Sequence, residues 1–466
     1  MADLLSILSF SGTSLGAQRG ALQTASHNLA NAATPGYARQ RATLTAAVPG
    51  ERHGSATLGR GATLSAVTQV RDRFVESQLP AGLSSHARSG AESEALAAVS
   101  ALDPTSEQGL AAALGGFYSG LRAMAQNPGS LPLREAAAGQ TRALALAFNR
   151  TASALDAARD GADRRIDGLA AEVNAHAAGV ASLNAQIRAA RASGEVPNDL
   201  LDARQRSLDR LAELAGGVPV PDAEGNVSVA LPGGTALVSG DRAGTLSTVA
   251  DASNGGHLAL QLRRADGSGP FALSGAAGGE IGGMLDARDG ALRSAEASVD
   301  ALAFDLASAV NAAHRAGYGL DGVSGRNLLD AGATTSGAAS RIALSAAVAA
   351  DVRAIAAASS TGSPGDATNL QAVIATESQV LSGGDTAAAG LARATAAFGA
   401  AAQRAQAAFE AHGAALDQLD ALRQSASGVS IDEEMVNMTK AQRAFEAITK
   451  VMSTADQMLD TLLKLK

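Results

Sequence analysis

Reactive chemistry in this chain would have to rest on a short inventory of side chains. Seven histidines, His27, His53, His86, His176, His257, His314 and His412, are scattered along 466 residues, and none sits in an HExxH pattern or a short His/Asp/Glu cluster. His176 falls on a helical seam, where packing at an interface is its expected role, and His27 leads into a turn, where it serves a helix end. Gly12, Ser14 and Gly16 satisfy the G-x-S-x-G spacing of a hydrolase elbow. That motif needs a strand before it and a helix after it, and here it lies inside a leucine repeat. The adjacent carboxylates Glu433 and Glu434 could in principle share acid and base work. Beside Asp432 at a helix start they are better read as charge matching the helix dipole. The chain has no Cys, so thiolate nucleophiles, disulfides and cysteine-ligated metals are absent. No Lys precedes Lys440, so no Gly-rich stretch ends in the Gly-Lys of a phosphate loop. No catalytic residue, cofactor or metal is expected.

The elements that dominate instead are seams. Leu8, Leu15, Leu22 and Leu29 repeat every seventh residue, with small or polar Ser11, Gln18 and Ala25 beside them. Such spacing makes a narrow apolar stripe suited to packing helix on helix. The run ends at Asn31. Thr34, Pro35, Gly36 and Tyr37 follow, and a Pro-Gly pair suits a tight turn. At the other end Ile431, Met438, Phe445, Met452 and Leu459 form one line, and Ala441, Ile448, Ala455 and Leu462 a second. Ser430 can cap that helix. Two end helices with matching seams are expected to pair, and one thin seam leaves most of their surface for neighbouring subunits to cover.

Between them the pattern reads as long helices interrupted by strands. Ile166, Val173, Val180 and Ile187 keep heptad spacing until Gly194 and Pro197, and Leu285, Leu292, Val299 and Leu306 resume it up to about Gly317. From 218 to 273 the period becomes two, as in Val227, Val229, Leu231 and Leu258, Leu260, Leu262. Further strands are expected near Ile342 and Leu344, and helices from Asn369 onward with breaks near Gly383 and Gly428. The expected fold is mainly α with a β-rich inserted domain, elongated and multidomain, with the N- and C-terminal helices paired. Residues 1–40 and 428–466 form the inner terminal helices, 41–216, 281–320 and 365–427 a mainly helical domain, and 217–280 with 321–364 a β-rich outer insertion.

Composition agrees. Aromatic residues make up 3% of the chain and Trp is absent, so cores must be built from Leu, Val, Ile and Ala, which favours closely packed helices over a thick enzyme interior. The net charge of −8 is dispersed and argues against a nucleic-acid surface. No stretch suits a membrane span, and the N-terminus lacks the basic start of a secretory signal.

Certain blocks carry a resemblance. SHNLANAATPGYARQ at 26–40 resembles the N-terminal signature of the axial proteins of the bacterial flagellum, the rod, hook and hook-associated proteins, and SGVSIDEEMVNMTKAQRAF at 427–445, continuing as STADQMLDTLL, is similar to their C-terminal one. Central blocks resemble the hook-associated protein 1 family, which forms the hook–filament junction: LGRGATLSAVTQVRDRF at 58–74, PLREAAAGQTRALALAFN at 132–149, LNAQI at 183–187, PNDLLDAR at 197–204, and IGGMLDARD at 281–289 leading to AVNAAHRAGYGLDG. Ala203 and Gln205 depart from the pattern after LLD, and Phe445 stands where Tyr is common. The resemblance implies a structural, extracellular protein exported unfolded by the flagellar type III route without a cleaved signal. Its implied partners are copies of itself, hook protein, the second junction protein, and an export chaperone on the C-terminal helices, with no nucleic acid and no membrane insertion. It also implies that Asn28, Asn31, Thr34, Pro35, Gly36 and Tyr37 form the family turn. A hook or distal-rod protein is the nearest alternative, and a secreted hydrolase or adhesin on a helical stalk a remoter one.

Overall fold

The computed structural model describes residues 2–48, 52–53, 56–57, 59–99, 102, 109–273 and 277–464. Helix α1 (Ala2–Ala30) is followed by an antiparallel pair, β1 (Gln40–Ala46) and β4 (Ala62–Gln69), with the short strands β2 (Arg52–His53) and β3 (Ala56–Thr57) between them. Helices α2 (Arg73–Ala97), α3 (Leu110–Gln126), α4 (Leu131–Ala192) and α5 (Asn198–Ala215) come next. Strands β5 (Val218–Pro221), β6 (Val227–Ala230), β7 (Ala236–Ser239) and β8 (Arg242–Ala243) form one sheet; β9 (Thr245–Ala250), β10 (Leu258–Arg263) and β11 (Phe271–Ala272) form another. Helix α6 (Gly279–Asp286) runs through a π-turn at Ala287–Leu292 into α7 (Arg293–Arg315). Then come β12 (Leu329–Asp330), α8 (Ala338–Arg341), β13 (Ala343–Leu344), α9 (Ala346–Ala350), α10 (Thr368–Ala375), α11 (Ala387–Ser427) and α12 (Ile431–Lys464).

The spine is α4. Ser130 and Pro132 sit at its start, where a missing N–H does no harm, and Gly194 at φ 85° ends it. At 62 residues it is about 93 Å long. Leu144, Phe148 and Leu155 on its first half join α3, α7, α10 and the start of α11 in one core. Ile166, Val173, Val180 and Ile187 are all at most 2% exposed. The first three face α5, α6 and the strands of a second core, as their heptad spacing predicts. The alternating Val229, Leu231, Leu260 and Leu262 close that core from the sheet side, as the period of two predicts.

Two expectations need correction. Residues 41–216 are not helical from their start, because β1 and β4 pair across Gln40↔Gln69 to Ala46↔Ala62. The reason is visible in RATLTA and ATLSAVT, where β-branched residues alternate with small ones and no helical stripe forms. Residues 321–364 are not a β-rich extension of 217–280 either. Among the described residues they carry one strand pair, Leu329↔Leu344 and Asp330↔Ala343, beside isolated bridges from Tyr318 to Ser324 and Ala358, and Leu328, Leu329, Ile342 and Val348 pack into the first core, away from the two sheets.

Polar order inside the first core comes from the AVNAAHRAGYGLDG block. Asn311 donates to Leu329 O and accepts from the N–H groups of Leu328 and Leu329. His314 is fully buried; its Nδ1 lies 2.7 Å from Arg326 O, and its Nε2 accepts from Ala356 N–H at 2.9 Å. That pairing fits one neutral tautomer, with the proton on Nδ1. Burial holds its pKa below the ordinary histidine value. The unfolded chain therefore binds a proton that the folded chain refuses, so stability present above about pH 6.5 declines as the pH falls below it. The expected slope approaches about 1.4 kcal/mol per pH unit at most. Urea midpoints of the parent and His314→Gln between pH 7 and pH 5 should diverge in slope; parallel curves would refute this role.

Candidate functional site: the terminal helix pair and its joint

Helices α1 and α12 pack antiparallel. Ser26 Oγ lies 3.9 Å from Met438 Sδ, while Leu4 and Ile7 share a groove with Ala455 and Met458 at the far end. The terminal helices pair as the fold expectation has it, but the seam residues are not what the pair buries. Leu8, Leu15, Leu22 and Leu29 are only half-buried, as are Met438, Phe445, Ile448 and Leu459. Ile431, Met452 and Leu462 are 53%, 37% and 45% exposed. The side chains that are fully buried are small or polar: Ser11, Ser14, Ala17, Thr24, Ala25 and Asn28 on α1, and Glu434, Ala441 and Ala455 on α12. Two helices alone cannot surround a leucine; only small residues at the line of closest approach, or those facing the hairpin, lose all contact with water.

The second face of α1 carries the β1–β4 hairpin. Ser14 Oγ accepts from Ala62 N–H at 3.1 Å, and Gly20 lies against Leu64. Ser14 is thus a bracket for a strand inside a continuous helix, which removes the nucleophile elbow.

The residues of the turn motif gather around Asn28. Asn28 Nδ2 donates to Gln40 O at 2.7 Å, and Asn28 Oδ1 accepts from Gln40 N–H at 2.9 Å and Tyr37 Oη at 2.7 Å. His27 Nδ1 lies 3.0 Å from the same phenol. Asn31 donates to His27 O and accepts from Thr34 Oγ1. Thr34 O accepts from Tyr37 N–H across exposed Pro35 and half-buried Gly36, and Gly36 at φ 75° occupies the left-handed position that such a turn requires. Burial, aided by Asp202, pushes the Tyr37 phenol far above its ordinary pKa, so it stays a donor.

The turn docks on α5, the PNDLLDAR helix. Gly36 packs on Arg206, Gln40 donates to Asp199 at 3.3 Å, and Asn198 donates to Val67 O at 2.9 Å. Gln69 and Arg71 both donate to Asp202, at 2.7 and 2.6 Å. Arg204 reaches the other way, to Asn184 of LNAQI at 2.9 Å and Gly225 O at 3.0 Å. Asn184 in turn bridges Val227 and Gly240. Burial pushes the Arg204 guanidinium down to about 10, still charged at neutral pH. These contacts were hidden in the sequence, because each joins residues far apart in it.

Beneath the joint lies a knot of charge. Arg71 and Arg423 both contact Glu76 at 3.2 Å, Arg71 holds Asp202, and Arg423 lies 3.6 Å from Asp209. Two cations face three carboxylates, and burial raises the pKa of both Asp202 and Asp209. Asp209→Asn balances the count and keeps an acceptor for Gln205, so it should leave stability unchanged or higher, whereas Arg423→Ala should lose about 2 to 3 kcal/mol. Chemical denaturation of both variants checks the sign.

Among the described residues one set, Asp160, Asp163 and His257, brings ligand-type atoms within 4.8 Å. Asp163 is already held by Arg288, His257 and Leu258 N–H, so a guanidinium stands where a cation would. His176 is half-buried beside the buried Val173, Ala177 and Val180. No described helix is long and apolar enough to cross a membrane.

The comparisons fall on these same regions. Residues 98–329 match the family described as "Flagellar hook-associated protein FlgK helical domain", and residues 421–465 match "Flagellar basal body rod FlgEFG protein C-terminal". "Flagellar hook-associated protein 1" of Bacillus subtilis (strain 168) is 28% identical over 490 residues, covering 96% of each chain. The chain belongs to the flagellar hook-associated protein 1 family. The homonymous protein of Escherichia coli (strain K12) is 27% identical over 335 residues, 70% of this chain and 60% of its own length. The solved structure "The structure of the flagellar hook junction protein FlgK from Burkholderia pseudomallei" superposes with a TM-score of 0.67 at 19% identity, covering 76% of this chain and all of that one, which establishes a shared fold. Hook-associated protein 1 relatives are structural proteins of the flagellum, and this chain is a structural component of the hook–filament junction.

Proposed function

We propose that the chain builds the junction by self-assembly through its terminal helix pair after export. The observation that carries this reading is the unburied apolar surface of that pair. Leu5, Met435, Val436, Val451, Met458 and Leu463 are each about half exposed or more, and a groove of about 720 Å³ runs along Leu4, Ile7, Ala447, Val451 and Met458. A patch of that kind marks a surface that another protein covers. In this reading Leu8, Leu15, Leu22 and Leu29, with Ile431, Met438, Phe445, Ile448, Met452, Leu459 and Leu462, complete their burial against adjacent copies. The distal ends of the pair become fully ordered only there.

The partners are copies of the chain in a ring or helical layer, hook protein on one side, the second junction protein on the other, and before export a chaperone on the C-terminal helices. The location is extracellular. A chain without Cys can be threaded unfolded and emerge without thiols to cross-link. The 421–465 match is to a rod-protein family and would suit a hook or rod subunit too, while the 98–329 match favours the junction. Deleting the gene distinguishes them: hooks without filaments and filament protein shed into the medium are expected, and missing hooks would overturn the reading.

A further inference from the structure

Between α11 and α12 the helical ladder lapses. Gly428 N–H still bonds back to Gln424 O, and the next helix opens with Glu434 N–H on Ser430 O and Glu433 N–H on Ser430 Oγ, leaving Val429 without a helical bond. The covalent link is too short to fold on itself, and its own hydrogen bonds leave the angle at Val429 open.

One residue spans the gap from outside. Arg39 N–H donates to Ser427 O at 3.0 Å, the carbonyl end of α11. Its guanidinium donates from Nε to Glu434 Oε1 and from NH1 to Glu433 Oε2, both at 2.8 Å, in the first turn of α12. Arg39 is itself held, since its carbonyl accepts from Val70 N–H at 2.8 Å and its neighbour Gln40 is bracketed by Asn28. Turn, hairpin, end of α11 and start of α12 therefore meet at one residue, whose backbone holds α11 and the hairpin and whose side chain holds α12. The Glu434 carboxylate is 4% exposed and Glu433 62%, so one ion pair is anchored within the fold and the other is open to water.

We propose that Arg39 is a positioning residue, a clasp that sets the angle at which α12 leaves α11 and so the direction in which the terminal helix pair projects from the body. The fork geometry of guanidinium matters, because two carboxylates one residue apart are held at once. A Lys offers a single point charge and engages them in turn.

The absence of Cys makes the angle directly measurable. Ala415→Cys on α11 and Gln442→Cys on α12, both exposed, accept nitroxide labels as the sole thiols, and pulsed electron resonance reads the distance between them in the full-length monomer. The parent should give one narrow distribution. Arg39→Ala should broaden it or add a second population, the double variant Glu433→Gln/Glu434→Gln should do the same, and Arg39→Lys should fall between, with the thermal midpoint of the body unchanged in all. A parent already broad, or an Arg39→Ala distribution identical to the parent, overturns the proposal. Should Arg39→Ala fail to fold, an unchanged distribution in the glutamine pair overturns it instead. Because the monomer is measured, the result stands apart from whether the chain assembles as proposed above.

Discussion

A chain lacking residues 1–30 is expected to fold around both of its cores and never enter the flagellum. Neither core draws on the missing segment: the first is built from residues between Leu96 and Ala405, and the second from residues between Ala91 and Met284. What is lost is the partner of α12, the Ser14 bracket on the hairpin and the Asn28 hub of the turn. The hairpin should fray and α12 should lose its helical content, since a lone helix with one apolar stripe is marginal in water. Thermal unfolding would retain the body's main transition, and cells carrying only this variant would stop at bare hooks. Normal filaments on such cells would refute the assignment of assembly to the terminal pair.

Arg134→Ala is expected to be the most damaging single substitution in the body, with a loss of about 3 to 5 kcal/mol in urea unfolding. Arg134 is 1% exposed and heads the fully buried side chains by volume among the described residues. Among the described residues it forms no ion pair with a carboxylate. Its guanidinium donates to Pro128 O at 2.6 Å, Ile355 O at 2.7 Å and, more loosely, Val352 O at 3.4 Å, tying the start of α4 to the loop before α10. Burial pushes its pKa down to about 10, and Asp321 and Asp351 pull it back up from a distance, so the charge persists at neutral pH. Alanine strands two buried carbonyls and opens a cavity the size of the lost chain. Arg134→Lys keeps the charge but can satisfy fewer carbonyls, and should fall between. A loss below about 1 kcal/mol for alanine would show that water replaces the guanidinium.

The long helices were readable because their seams are regular: Ile166 to Ile187 and Leu292 to Leu306 repeat one spacing, and burial follows it to within a few per cent of full. The strands of 218–273 were readable for the same reason with period two. The β1–β4 hairpin was missed because both of its faces stay largely open to water, so its β-branched and small residues alternate without marking an apolar side. The interior of 321–364 was missed because short loops can be buried through side chains such as Asn311, whose hydrogen bonds substitute for a strand ladder. At the candidate site the turn was legible as a motif, while its docking surface was not. Arg39 and the carboxylates at 433 and 434 lie 394 and 395 residues apart, and a periodic pattern carries no information about such a pair.

The 62-residue helix that belongs to both cores has a mechanical meaning. No linker separates the two halves of the body, so neither can swivel without breaking backbone hydrogen bonds in the middle of α4. A twist imposed on one core is delivered to the other as rigid rotation, in the manner of a driveshaft rather than a universal joint. The direction of the terminal pair is set apart from that shaft, at the elbow clasped by Arg39.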